Sequence, residues 1–135
     1  MGIERLFIKE IETGYTVCLD NCKNGKRLKV ICGKSIFLLE PIHIAVAYIV
    51  NGWVVIKDTS NKELLTVYTL NELEIILNKD CFFRINRQLI AARSSCISYT
   101  PIGFGKLEVG LKVNVPVKTV VSQTKAKTFR KWVSY

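Results

Sequence analysis

His43-Ile44-Ala45-Val46-Ala47-Tyr48-Ile49-Val50-Asn51-Gly52-Trp53-Val54-Val55-Ile56-Lys57-Asp58 is two apolar runs joined by one polar dipeptide. β-Branched and aromatic residues fill both runs, and these fit a pleated, half-buried surface. Asn-Gly accepts positive φ at both central positions of the turn whose twist matches its flanking strands. The stretch therefore predicts a β-hairpin with strands His43–Val50 and Trp53–Asp58, and with it a mainly β chain.

The same alternation extends in both directions. It predicts further strands at Tyr15–Leu19, Leu28–Cys32, Ser35–Leu39, Glu63–Tyr68, Leu89–Ala92, Cys96–Thr100, Lys106–Val109 and Asn114–Val117. Asn24-Gly25, Gly33-Lys34, Ser60-Asn61 and the Gly103/Gly105 pair mark turns between them. Two short helices interrupt the strands. Thr69-x-x-Glu72 is a capping box, after which Leu70, Leu73, Ile76 and Leu77 share one face. Ser122 caps the second helix, with Ala126, Phe129, Trp132 and Val133 turned inward and Lys125, Lys127, Arg130 and Lys131 on the opposite side. Residues 1–26 are less patterned and read as an N-terminal extension or linker, leaving 27–135 as the domain.

The 135 residues suffice for one core, and a hydrophobic fraction of 49% argues for a folded protein. The longest apolar run, Ile42 to Val50, is too short to span a bilayer, and Glu4, Arg5, Lys9 and Glu10 do not suit a signal peptide. A cytoplasmic protein is the expectation. The net charge of +9 is unevenly placed. Residues 1–80 carry ten basic and ten acidic side chains, whereas 81–135 carry ten basic side chains against Glu108 alone. Such asymmetry suits a polyanionic partner, although a solvated basic face reads the same way. Five cysteines at irregular spacing include Cys18-x-x-x-Cys22, but no second Cys or His pair completes a zinc site. Free thiols, no metal and no cofactor are expected.

Beyond the first helix lies Asp80-Cys81-Phe82-Phe83-Arg84-Ile85-Asn86-Arg87-Gln88-Leu89-Ile90. Two aromatics anchor in the core, and Arg84 and Arg87 follow them in a loop or short turn. Guanidinium forks suit both a phosphate and a base edge. Arg84 has an alternative, pairing with a carboxylate such as Glu74 or Asp80.

Three blocks make this chain resemble the LytTR DNA-binding domains of bacterial response regulators. Ile44–Ile49 with its turn is similar to that family's opening strand. Tyr68-Thr69-Leu70-Asn71-Glu72-Leu73-Glu74, followed by Phe83-Arg84-Ile85-Asn86-Arg87, is similar to its helix start and Arg-x-x-Arg segment. Val117 to Trp132 is similar to its closing Val-Ser-Arg helix. The resemblance runs over residues 27–135. It implies an elongated arrangement of small antiparallel sheets with two short helices, sending loops into successive major grooves of double-stranded DNA on direct-repeat sites. It also implies a receiver or sensor domain as partner in a two-component system. Matched by position, the reading segments are Asn51 to Trp53, Arg84 to Gln88, and Val121, Ser122 and Gln123. Two positions depart: Gln123 stands where the family has Arg, and Ala92 where it has Asn.

Other chemistry fails on inventory. The single histidine, His43, lies in an apolar run. A Cys–His dyad has nothing in sequence to orient it. Glu72 and Glu74 sit on a capped helix surface, and Gly103-x-Gly105 lies in a hairpin turn rather than between a strand and a helix. The chain reads as a binding module, not an enzyme. Asn51, Trp53, Arg84, Asn86, Arg87, Gln88, Ser122, Gln123, Lys125, Lys127, Arg130 and Lys131 are its expected DNA contacts. The competing reading is a basic β-rich module for RNA or an acidic protein partner, without sequence reading.

Overall fold

The computed structural model describes residues 27–134; the expected strand Tyr15–Leu19 lies outside the described residues. Along the chain run β1 (Leu28–Cys32), β2 (Ser35–Leu39), β3 (Ile44–Val50), β4 (Trp53–Asp58) and β5 (Glu63–Thr66). Then come α1 (Leu70–Ile76), β6 (Phe82–Asn86), β7 (Leu89–Ala92), β8 (Cys96–Gly103), β9 (Lys106–Leu111), β10 (Val120–Val121) and α2 (Gln123–Val133). The fold is mainly β with two helices, as the alternation predicts. Its strands form a seven-stranded sheet in the order β2-β1-β5-β4-β3-β7-β6 and a three-stranded sheet in the order β10-β9-β8. All the pairings are antiparallel.

Local chemistry accounts for the elements. At the β3–β4 turn Asn51 has φ 52° and Gly52 has φ 80°, the conformation that dipeptide favours. At α1 the Glu72 amide donates to Thr69 Oγ1 at 3.0 Å while the Thr69 amide donates to Glu72 Oε1 at 2.9 Å. Both halves of the capping box are present, satisfying two amides that helix geometry leaves without partners.

Period-two alternation gives the large sheet two apolar faces, and each has its own cover. One face, including Val30, Ile44, Ala47, Ile56 and Ile90, packs with Leu70, Leu73 and Leu77 of the α1 segment. The other, including Val46, Tyr48, Ile85 and Leu89, packs with Leu107 and Val109 of β9 and with Ala126, Phe129 and Trp132 of α2. Register makes this second cover partial. Ile36, Ile31, Leu65, Val55, Tyr48 and Leu89 are successive partners in a row across six strands. At the β3–β7 end Tyr48 is only 1% exposed, whereas at the β2 end Ile36 is 65% exposed.

Two expectations about strands need correction. Arg84 to Arg87, read as a loop or short turn, begins within a strand, Phe82–Asn86, because Phe82 and Ile85 are buried and β7 supplies a ladder partner, with a register shift between Arg84 and Asn86. Asn114–Val117 is not a strand. Pro116 has no N–H for a ladder, and β9 instead pairs with Val120 and Val121. The loop is held by Lys57, whose buried Nζ donates to the Asn114 carbonyl. Cys32 and Cys96 are free thiols as expected, but Cys81 is disulfide-bonded.

Candidate nucleic-acid interface

Antiparallel pairing of β3 with β7, Tyr48 opposite Leu89, brings the β3–β4 and β6–β7 turns to the same end of the large sheet. The Ile49 amide donates to the Gln88 carbonyl at 3.0 Å, so Asn51–Trp53 and Arg87–Gln88 are neighbouring segments. Asn51, Trp53, Arg87 and Gln88 are all exposed. Trp53 shares a strand face with Val55 and is 62% exposed, an uncommon state for so large a ring.

Asn86 holds the β6–β7 turn in shape. Its Oδ1 accepts from the Gln88 amide at 2.8 Å, an Asx turn that substitutes for the glycine a tight hairpin often uses. Its Nδ2 donates to the carbonyls of Lys118 at 2.8 Å and Val120 at 3.2 Å. Those bonds bring β10 and the start of α2 against the turn. A depression of about 370 Å³ there is lined by Arg84, Asn86, Arg87, Ser122 and Lys125 among others. Three segments expected from the sequence to act together thus lie side by side.

Of the two possibilities for Arg84, the structure realises the carboxylate pairing. Its guanidinium donates to Glu74 Oε1 at 2.9 Å, Asn71 Oδ1 at 3.0 Å, the Asn86 carbonyl at 2.7 Å and the Arg87 carbonyl at 2.8 Å. With its side chain 14% exposed, Arg84 ties α1 to the turn rather than offering a free fork. Arg87, the first residue of the turn, is exposed.

Helix α2 divides its cations. Gln123, Lys127, Arg130 and Lys131 fall at i, i+4, i+7 and i+8, one solvent-facing stripe, and all are exposed. Lys125 departs from the expected basic face. Its Nζ donates to the Arg84 carbonyl at 2.9 Å and lies 5.8 Å from the centre of the Phe83 ring. The opposite stripe locks into an aromatic cluster, Phe83 standing edge-on to Phe129 at 5.4 Å and tilted against Trp132 at 5.2 Å. Ser122 occupies the N-cap position without bonding the helix amides, its hydroxyl standing 3.1 Å from that of Thr124.

A fourth turn joins these three. The β9–β10 register, Val121 opposite Leu107, carries the Gly103–Gly105 turn alongside the start of α2. A Cβ at Gly105 would stand 2.7 Å from Gln123 Cγ, so the glutamine side chain lies directly over that glycine. The sequence places this turn in a hairpin and not in a phosphate cradle, and none of its residues is among the expected contacts. Ala92, the other departure from the family pattern, is buried on the α1 face and belongs to the core. Burial pushes the Cys96 thiol up to about 12, which leaves no thiolate population at neutral pH for nucleophilic chemistry. Among the described residues no helix is long and apolar enough to cross a membrane.

Exposed turns gathered at one end of the seven-stranded sheet, beside a basic helical stripe, define a loop-presenting nucleic-acid-binding domain. The family model for the LytTr DNA-binding domain matches residues 34–134, and the chain belongs to that family. A solved LytTr DNA-binding domain from Bacillus cereus shares the fold, with a TM-score of 0.66, 17% identity and coverage of 82% of this chain and 98% of that one. Comparison with curated proteins finds no match.

Proposed function

We propose that this DNA-binding domain reads duplex DNA sequence-specifically through the major groove, as the effector module of a bacterial transcription regulator. The observation that carries the reading is the convergence of Asn51–Trp53, Arg87–Gln88 and Ser122–Gln123 at one end of the large sheet, bordered by Lys127, Arg130 and Lys131. Arg87 and Gln123 are the base-reading groups: an exposed guanidinium suits guanine O6/N7, and a glutamine amide suits adenine N6/N7. The α2 cations engage phosphates, which set position without reading sequence. Arg84, Asn86 and Lys125 act through the turns they hold. A glutamine where the family has arginine shifts base preference from guanine toward adenine at one position. We further propose a direct-repeat site, a receiver or sensor domain as partner, and a cytoplasmic location.

Selection of genomic fragments by the full chain tests this reading. The expected result is enrichment of a repeated motif. A uniformly bound pool would favour the competing reading, a basic module for RNA or an acidic protein, whose support is the lost arginine at Gln123.

A further inference from the structure

Phe104, at the tip of the β8–β9 hairpin, has φ 54° and is 90% exposed. Its neighbours Gly103 and Gly105 also have positive φ, at 105° and 75°. Glycine takes that backbone region freely and asparagine tolerably, but an aromatic side chain there is strained. A buried ring would return that strain as apolar burial; Phe104 returns almost nothing within the folded chain. Backbone strain that the fold does not need points to a partner outside it.

The position of the tip says which partner. Gly105 lies beneath the Gln123 side chain, Ser122 and Arg87 line one depression, and Gln88 abuts the β3–β4 turn. Phe104 therefore extends the same arc of exposed turns, next to exposed Lys106, in the half of the chain carrying ten basic side chains against one acidic. An aromatic wedge there meets duplex DNA. In a major groove otherwise lined with donors and acceptors, the apolar group on offer is the thymine 5-methyl.

We infer that Phe104 is a specificity-determining contact to a thymine methyl group, adding a fourth reading segment to the interface; this rests on the major-groove reading proposed above. The probe is a duplex recovered by the full chain from a randomised library, resynthesised with deoxyuridine replacing each thymine singly. Deoxyuridine keeps every hydrogen-bonding group and removes only the methyl. Phe104→Asn is the matching variant, because asparagine tolerates the positive φ and the exposed ring contributes nothing to the core. Its melting temperature should be at least that of the wild type, because asparagine relieves the strained φ and no core contact is lost. At one thymine the wild type should lose about fourfold in affinity on methyl removal, the worth of one buried carbon. Phe104→Asn should lose nothing further at that position and should bind the methylated duplex about as weakly as the wild type binds the unmethylated one. A selected duplex with no thymine at which methyl removal distinguishes wild type from variant would overturn the contact while leaving the DNA reading intact. Failure to recover any preferred duplex would take down both.

Discussion

Asn86 Nδ2 lies 2.8 Å from the Lys118 carbonyl, a bond across 32 residues that fastens the β6–β7 turn to the segment leading into α2. The same side chain bonds Val120 and the Gln88 amide. Asn86→Ala should therefore cost about 1–3 kcal/mol of folding stability, for several partly exposed hydrogen bonds lost together. Amide exchange at Gln88 should accelerate more than exchange in β3. Unchanged protection at Gln88 would show that the turn is held by other means.

Arg84 and Arg87 stand three residues apart and should behave oppositely. Arg84→Ala removes four intramolecular bonds and should cost about 1–3 kcal/mol in denaturant unfolding. Arg84→Lys should rescue little, since an ammonium lacks the planar fork that spans those acceptors. Arg87→Ala should leave stability within about 0.5 kcal/mol while losing roughly 1–3 kcal/mol on a selected site and much less on random duplex. Equal losses on both duplexes would make Arg87 a phosphate contact.

The salt dependence of duplex binding should separate the cations of α2. With about five phosphates neutralised, the slope of log affinity against log salt should lie near −4 or −5. Lys127→Ala should make it shallower by about one unit and weaken specific and random duplexes alike. Lys125→Ala should leave the slope unchanged and lower stability, because its ammonium faces the Arg84 carbonyl. A slope change for Lys125→Ala equal to that for Lys127→Ala would contradict this division.

Asp58 supplies a pH-dependent stability difference outside the interface. Its Oδ1 accepts the Ser60 amide at 2.9 Å and the Lys62 amide at 2.8 Å, while buried Oδ2 has no hydrogen-bond partner among the described residues. Burial raises its pKa above the ordinary 3.8, against the lowering effect of the two amides, Lys62 and His43. A raised carboxyl pKa stabilises the fold fully below the ordinary value, and that contribution is lost as pH rises through the folded one. Asp58→Asn keeps the Oδ1 acceptor and cannot ionise, so it should gain on the wild type between pH 3 and pH 7. Urea unfolding at the two ends of that range reads the difference. A constant difference across the range would show that Asp58 ionises without cost.

Much of this architecture is legible in the sequence. Alternation located β1 to β4, Asn51-Gly52 located a hairpin, and Thr69-x-x-Glu72 located a helix start, because each depends on residues within a few positions of one another. The basic excess after residue 80 was legible directly, whereas Gln88 and the Ser122–Gln123 segment enter as expected contacts only through the family resemblance. Strand β6 was not legible: Arg84, followed by Arg87 just past the strand's end, resembles a loop until β7 stands beside it. Nor was β10, whose pairing with β9 depends on a partner far back in the chain.

Sequence by itself determined which residue types could meet a polyanion and which strands and turns would present them. Tertiary structure alone decided which of them remain available. Arg84, Asn86 and Lys125 turn inward because Glu74, the Lys118 and Val120 carbonyls and the Arg84 carbonyl are brought to them by distant segments. Phe104 turns outward at the tip of the β8–β9 hairpin, where Gly103, Phe104 and Gly105 all take positive φ. Local patterns record a residue's chemistry, but a hydrogen bond between segments tens of residues apart exists only once the sheet has set their register.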